Sequence, residues 1–283
     1  MAKISQISAK TNLNIRGTSV NLDKPVVMGI INLTPDSFYK NSRAESARVI
    51  INKATQMLAE GALFLDLGAF STRPGALEVS AEDELSRLLP AIKEINRQFP
   101  DVYISVDTFR AKIAAEAIEA GASLINDITA GSDPEMFNLI KAAKVPYIIM
   151  HMRGPVTRMM ENTVYDNLIL EIRQFFQKKL ALLAELDLKD IIIDPGLGFS
   201  KTLDQNYEIL KNLAYFEVLP APMMIGVSRK SMIYNLLETT PDEALTGTSV
   251  ANFAALEKGA RILRVHDVKE AVQTIKIYNK IIS

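Results

Sequence analysis

Eight short apolar segments of strand length recur along the chain and alternate with longer segments of helical periodicity. The strand-like segments are VVMGIIN (26–32), LFLDLG (63–68), YISVDT (103–108), SLINDI (123–128), PYIIMHM (146–152), DIIIDPG (190–196), PMMIGVS (222–228) and RILRVH (261–266). The intervening segments, such as ESARVIINKATQMLAEG (45–61), carry charges on one helical face and Ala, Ile and Leu on the other. This alternation predicts repeated βα units around a parallel sheet.

Eight such units in 283 residues, without a break in composition, predict an α/β fold of the (β/α)8 TIM-barrel type as a single domain. We expect residues 1–25 to form an N-terminal lead-in and residues 26–283 to form the barrel. Gly61, Gly121 and Gly259 stand where helices are expected to end. An open, doubly wound sheet is the alternative, but no G-x-G-x-x-G follows the first strand, which disfavours dinucleotide binding.

Composition narrows the class of ligand. The net charge of -1 provides no electrostatic footprint for a nucleic acid, so an anionic ligand must be held by a local cluster of basic groups. The chain has no Cys and only two His, which excludes thiolate chemistry and disfavours an all-His metal site. Because the N-terminus lacks a signal-peptide core and no apolar run reaches about 18 residues, we expect a cytoplasmic protein without a membrane span.

Polar residues stand at the carboxyl ends of almost all predicted strands, where the loops of a barrel build its active site. They are Asn32, Asp66, Asp107, Asn126, Asp127, His151, Asp194, Ser228, Arg229, Lys230, Arg264 and His266. The amide and carboxylate groups of Asp107, Asn126 and Asp194 together match a flat heterocycle that bears donors and acceptors. An Asp after a strand is alternatively a helix N-cap, which is the interpretation we prefer for Asp127.

Arg264 and His266 are two residues apart on the last predicted strand and therefore point to the same side of the sheet. With Lys230 they form a basic cluster that suits phosphate or pyrophosphate. Salt bridges to the local carboxylates are the alternative. For His151 both core packing and a functional role remain open.

A set of motifs in fixed order resembles the dihydropteroate synthase family. The motifs are NLTPDSF (32–38), STRPGA (71–76), VDT (106–108), IND (125–127), DPG-x-GF (194–199), SRKS (228–231) and R-x-H (264–266), and the match runs from about Val26 to the C-terminus. The resemblance implies a TIM-barrel transferase of folate biosynthesis that binds Mg2+, forms a homodimer and is a sulfonamide target. The implied reaction joins 6-hydroxymethyl-7,8-dihydropterin pyrophosphate to p-aminobenzoate and releases pyrophosphate, by an SN1-like path.

The resemblance also implies roles for individual residues. The implied pterin pocket consists of Asp107, Asn126, Asp194, Gly226, Lys230 and Arg264. Pyrophosphate is assigned to Asn32, Arg264 and His266, with Asn32 also at the magnesium ion. The implied p-aminobenzoate site consists of Pro35, Phe38, Thr72, Arg73, Phe199 and Ser231. The residues closest to the chemistry are then Asp36, Lys230, Arg264 and His266.

The first loop raises a hypothesis of its own. TPDSF (34–38) is interpreted as a mobile lid in which Phe38 forms an aromatic wall for an aromatic substrate, and the alternative is a side chain packed on the barrel surface. The chain departs from the family pattern in Tyr39 to Arg43, which replace a glycine-containing segment. It also departs at Phe70, where Glu is common, and at Ser200, where Gly is frequent. These departures surround the p-aminobenzoate site.

Two other functions share the polar strand ends. A pterin-barrel methyltransferase that acts with a corrinoid protein would need neither STRPG nor SRK. A non-catalytic pterin-binding paralogue would bind the pterin without turnover, and the altered loops are where that would show. Because little more than one helix follows the last strand, we expect no fused pterin pyrophosphokinase.

Overall fold

The computed structural model describes residues 11–33, 43–70 and 79–282. Its strands are β1 Asn12–Ile15, β2 Thr18–Asn21, β3 Val26–Asn32, β4 Phe64–Gly68, β5 Tyr103–Asp107, β6 Leu124–Asp127, β7 Tyr147–Met150, β8 Ile191–Asp194, β9 Met223–Ile225 and β10 Ala260–Val265. Its α-helices are α1 Arg43–Glu60, α2 Ala81–Gln98, α3 Ala111–Glu119, α4 Met136–Ala143, α5 Leu168–Glu185, α6 Leu203–Lys211, α7 Ser231–Tyr234, α8 Leu245–Leu256 and α9 Val268–Ile282. Short 3-10 helices span Val156–Glu161, Leu213–Phe216 and Pro241–Glu243.

Strands β3 to β10 close into a barrel in the order β10-β3-β4-β5-β6-β7-β8-β9. All neighbouring strands of the barrel pair in parallel. Each predicted apolar segment forms one strand, so the predicted (β/α)8 barrel is confirmed. Gly61, Gly121 and Gly259 follow helices with φ of 106°, 114° and 89°, a left-handed conformation that glycine adopts without strain.

A β-hairpin that the sequence analysis did not predict covers the N-terminal end of the barrel. Strands β1 and β2 pair antiparallel around Arg16 and Gly17, which both have positive φ. Its apolar side chains Leu13, Ile15 and Val20, with the adjacent Leu22, enter an inner cluster inside the barrel. Seven barrel strands contribute the other buried members: Met28, Phe64, Leu124, Ile148, Ile192, Met224 and Ile262. The hairpin therefore seals the end of the barrel opposite the predicted site.

The side chains of each strand alternate between the barrel interior and the surrounding helices. On β10, Leu263 and Val265 belong to the outer core beneath the helices, whereas Ile262 belongs to the inner cluster. Arg264 and His266 share the inward parity of Ile262 and lie closer to the carboxyl end. In the described ranges no helix is long and apolar enough to cross a membrane.

Candidate active site

A layer of polar side chains lies inside the barrel, on the mouth side of the inner apolar cluster. Asp66, Ser105, Asn126 and Asp194 are each at most 5% exposed. Each stands two positions after an inward-facing residue of its strand, so the strand alternation turns it toward the barrel axis. Buried polar groups are tolerated when they are partnered or bind a ligand, so their partners decide what this layer does.

Arg264 is the centre of the layer. Its Nε donates to Asp66 Oδ2 at 2.6 Å, and its Nη2 donates to Asp107 Oδ2 at 2.7 Å. Asn126 Nδ2 also donates to Asp66 Oδ2, at 3.3 Å. Of the two interpretations of the basic residues, the structure shows salt bridging for Arg264, and these charge-assisted bonds fix its guanidinium at the barrel axis.

Several polar atoms of the layer keep unused hydrogen-bonding capacity. Asp66 Oδ1 and Ser105 Oγ are buried without a partner in the described part of the chain. Asp107 and Asn126 each use one polar atom within that part and keep an oxygen that can accept. Burial raises the pKa of the Asp107 carboxyl, and the nearby Arg264 guanidinium offsets part of the rise. A flat ligand with several donors would satisfy these groups.

Asp194 and Lys230 form the wall of the pocket opposite Asp107 and Asn126. Asp194 Oδ1 accepts from the backbone N–H of Gly196 at 2.8 Å. Lys230 Nζ donates to the carbonyl of Leu197 at 2.5 Å and lies 4.6 Å from the ring centroid of Phe199. Burial lowers the pKa of Lys230 to about 8, although the Asp194 carboxylate acts in the opposite direction. Burial likewise raises the pKa of Asp194, against the effect of Lys230.

Gly226 lies beside Lys230 and Arg264. A Cβ added there would lie 3.9 Å from Lys230 Nζ and from side-chain carbons of Arg264. A side chain at position 226 would therefore project into the space between the two cations. Glycine leaves that space open.

His266 adds a hydrogen-bonding group rather than a charge. Its Nδ1 lies 3.1 Å from Ser228 Oγ, and its backbone N–H donates to the same oxygen at 3.1 Å. Burial, followed by the nearby cations Arg264 and Lys53, lowers the pKa of His266 to about 4. The imidazole is neutral at pH 7, so the positive charge of the predicted basic cluster comes from Arg264 and Lys230.

Other predicted residues lie at the mouth or away from it. Asn32 is exposed at the end of β3, and Ser231 is exposed at the start of α7. Asp127 faces away from the pocket and accepts from the backbone N–H groups of Thr129 and Gly131, so it stabilises a turn. The N-cap interpretation of this residue is wrong, because the N-cap of the next helix is Glu135. The remaining predicted residues, Pro35, Asp36, Phe38, Thr72 and Arg73, lie outside the described residues.

Two departures from the family pattern have local explanations, and Tyr39 to Ser42 lie outside the described residues. Phe70 packs edge-on against Phe109 with ring centroids 5.4 Å apart, and the Arg110 guanidinium lies 5.8 Å from the Phe70 centroid. Ser200 has a φ of 54°, which explains a preference for glycine there. Its hydroxyl accepts from the backbone N–H of Arg153 and donates to the carbonyl of the same residue.

The barrel with its ion-paired polar mouth belongs to the class of pterin binding enzymes, because the family profile of that class matches residues 28–266. That span runs from β3 to the residue after β10 and contains every residue of the polar layer.

Individual relatives narrow the class further. The dihydropteroate synthase of Escherichia coli (strain K12) is 39% identical over 270 residues, which is 95% of this chain and 95% of that protein. The solved Yersinia pestis dihydropteroate synthase with a sulfonamide drug complex is 37% identical, with a TM-score of 0.88 over 95% of this chain and 98% of that chain. The Xanthomonas albilineans dihydropteroate synthase with 4-aminobenzoic acid is 33% identical, with a TM-score of 0.89 over 96% and 98%. The chain belongs to the dihydropteroate synthase family.

Proposed function

We propose that this protein joins 6-hydroxymethyl-7,8-dihydropterin pyrophosphate to p-aminobenzoate, giving 7,8-dihydropteroate and pyrophosphate. The observation that carries the proposal is the buried polar layer around Arg264, whose oxygens retain unused acceptor capacity at the open end of the barrel. An enzyme of this family needs such a layer to orient a flat, hydrogen-bonding pterin. The STRPGA and SRKS motifs distinguish this function from that of a pterin-barrel methyltransferase.

The pterin ring is proposed to lie between the wall of Asp107 and Asn126 and the wall of Asp194 and Lys230. Ring N–H groups would donate to the carboxylates, and the Asn126 amide can both donate and accept. Because Arg264 already holds Asp66 and Asp107 in place, these groups are oriented before the ligand arrives. Such preorganisation avoids the cost of ordering them at the moment of reaction.

The leaving pyrophosphate is proposed to lie at Arg264, His266 and Asn32. Arg264 provides a permanent positive charge, and the neutral His266 provides a hydrogen bond. Bound Mg2+ would balance the charge of the departing pyrophosphate. In the described ranges no group of three or more His, Asp or Glu side chains could hold a metal ion. The exposed Asn32 amide oxygen therefore fits an ion held mainly by water and substrate phosphates, as is usual for Mg2+.

The chemical step is proposed to be SN1-like. The bond between the methylene carbon and the pyrophosphate oxygen breaks, the electron pair leaves with pyrophosphate, and the electron-rich pterin shares the positive charge. The neutral aromatic amine then forms the new C–N bond and releases its proton to solvent, so no strong general base is required. Asp36 is proposed to stabilise the cation, and Phe38, Pro35, Thr72, Arg73, Phe199 and Ser231 to bind p-aminobenzoate.

A homodimer, a cytoplasmic location and competition by sulfonamides belong to the same proposal. The homodimer and sulfonamide competition rest on the family, and the location rests on the lack of long apolar segments in the sequence.

Turnover by the purified chain tests the proposed function. With both substrates and Mg2+ we expect equal amounts of dihydropteroate and pyrophosphate, and no dihydropteroate when p-aminobenzoate is omitted. Pterin binding without any product would instead support a non-catalytic paralogue.

The lowered pKa of Lys230 predicts that kcat/KM depends on pH. If its ammonium binds the substrate, kcat/KM should fall by about tenfold per pH unit above the Lys230 pKa of about 8. Unfolding does not produce this loss of activity. The pKa of Lys230 in the folded chain lies below the ordinary value of 10.5, so between pH 8 and 10.5 the unfolded chain binds more protons than the folded chain. The contribution of Lys230 to the free energy of unfolding therefore increases as pH rises.

The pH–rate profiles of the wild type and of two variants measure this effect. The residual activity of Lys230→Met should lack the decline near pH 8, whereas Lys112→Met, on the exposed face of α3, should keep it. An unchanged profile in Lys230→Met would rule out Lys230 as the titrating group.

A further inference from the structure

A buried lysine that the mechanism does not use lies inside the loop after β8. Lys201 is 2% exposed. Its Nζ donates to the carbonyls of Gly196 at 3.0 Å, Phe199 at 2.8 Å and His151 at 3.1 Å. Burial lowers the pKa of Lys201 to about 7, and in the ammonium form Nζ has three N–H groups, one for each of these carbonyls. The amino group thus bonds to two carbonyls within this loop and to one carbonyl at the end of β7.

The loop 195–200 has an unusual backbone shape, and Lys201 is one of several side chains that hold it, together with Ser200, Tyr165 and Asn206. Gly196, Gly198 and Ser200 have φ of 73°, 85° and 54°, all in the left-handed region. A Cβ added at Gly196 would lie 2.1 Å from the carbonyl oxygen of His151, so the loop passes directly against β7. These turns aim the Gly196 and Phe199 carbonyls at Lys201 Nζ. Asn206 adds a second anchor, because its Oδ1 accepts from the Gly198 N–H at 2.6 Å.

The same loop supplies the contacts that position the wall of the pterin pocket. The Leu197 carbonyl accepts from Lys230 Nζ, and the Phe199 ring lies beneath that nitrogen. The Gly196 N–H donates to Asp194 Oδ1. A Cβ added at Gly198 would lie 3.1 Å from Lys230 Cδ, so the lysine side chain runs in contact with the loop backbone. A shift of the loop would therefore displace both Lys230 and Asp194.

The side chain of His151 also contacts Lys201. Its Nδ1 lies 3.1 Å from Lys201 Nζ, and its ring packs edge-on against Phe175 with centroids 5.0 Å apart. Burial, followed by the neighbouring Lys201, lowers the pKa of His151 to about 2, so the ring is neutral. The tautomer of the His151 ring decides whether Nδ1 accepts from Lys201 Nζ or donates to it. His151 thus supports Lys201 and does not face the pocket.

We propose that Lys201, supported by His151, is a positioning residue for the proposed reaction: by holding the carbonyls of Gly196, Phe199 and His151 it fixes the loop that places Lys230 and Asp194 against the pterin. This inference rests on the proposed function, which supplies the identity of the ligand. Lys201 itself touches neither substrate in this account.

Replacing Lys201 with Met tests the inference by calorimetric titration with the pterin pyrophosphate and by steady-state kinetics. We expect weaker pterin binding and a kcat/KM reduced roughly 100-fold, the size of effect that a misplacement of about 1 Å can produce. Most of the loss should appear as a higher KM for the pterin substrate. The matched control is Lys179→Met, because Lys179 Nζ is part-buried and donates to the carbonyl of Ala130 at 2.6 Å, away from the loop.

The outcomes separate the inference from the proposed function. If the wild-type chain fails to bind the pterin, the proposed function is wrong. If the wild type binds and folded Lys201→Met binds equally well, with only its Tm lowered as in Lys179→Met, the positioning role is wrong. If Lys201→Met does not fold, Lys201→Gln decides: its amide has only two N–H groups and cannot donate to all three carbonyls, so weaker pterin binding supports the role and wild-type affinity contradicts it.

Discussion

Replacing Arg264 with Ala is expected to lower kcat/KM by about 10³-fold and to destabilise the fold by about 3–5 kcal/mol. Arg264 Nε and Nη2 hold Asp66 and Asp107 at 2.6 and 2.7 Å, and Asp66 is fully buried. Removing the guanidinium leaves two carboxyl groups facing each other in the barrel without the cation that offsets the effect of burial on the pKa of Asp107. The pyrophosphate would lose its permanent cation in the same change.

Denaturant unfolding and steady-state kinetics of the same preparation measure both effects. Arg261→Ala is the matched control, because Arg261 lies on the same strand, is directed away from the barrel interior and donates to the carbonyl of Asp23 at 2.9 Å. We expect the control to change the free energy of unfolding by about 1 kcal/mol or less and to keep wild-type activity. An unchanged kcat/KM in Arg264→Ala would remove Arg264 from the site.

Replacing Asp194 with Asn is expected to lower kcat/KM roughly 10²- to 10³-fold, with the loss appearing mainly in pterin affinity. The substitution exchanges one acceptor oxygen for a donor in a position that is 5% exposed. It also removes the carboxylate that raises the pKa of Lys230, so burial then lowers the pKa of that lysine further below about 8. The alkaline decline in kcat/KM should accordingly move to lower pH.

Calorimetry with the pterin pyrophosphate and a pH–rate profile measure these two effects. Asp190→Asn is the control at the opposite end of β8, where Asp190 Oδ1 accepts from the backbone N–H of Asn14 in the N-terminal hairpin. It is expected to cost about 1 kcal/mol of stability and to leave pterin binding unchanged. Pterin affinity in Asp194→Asn equal to that of the wild type would contradict the assigned pocket.

The barrel strands could be predicted from the sequence because buried parallel strands are continuous apolar runs bounded by polar residues. The hairpin was missed, although NLNI alternates polar and apolar residues, because each of its strands has only four residues and TSVN contains a single large apolar one. The motifs and the family resemblance predict a pterin pocket that contains Asp107, Asn126, Asp194, Lys230 and Arg264. The structure places all five at one end of the barrel.

Long-range pairing explains what the sequence analysis missed. Asp66 and Arg264 are separated by 198 positions, so no local pattern indicates that they form an ion pair. Lys201 follows a loop motif and looks like an exposed lysine, since lysines are almost never fully buried unless paired. The neutral state of His266 depends on burial, on Arg264 two positions earlier and on Lys53 of α1, and spacing alone indicates neither the burial nor Lys53.

A crystal structure of the chain with the bound pterin pyrophosphate tests the central claim most directly. We predict that the pterin ring lies across the mouth of the barrel, with its polar atoms bonded to Asp107, Asn126 and Asp194. The pyrophosphate should extend toward Arg264 and His266. A pterin bound elsewhere, with the unused oxygens of Asp66 and Asp107 still without partners, would contradict the account.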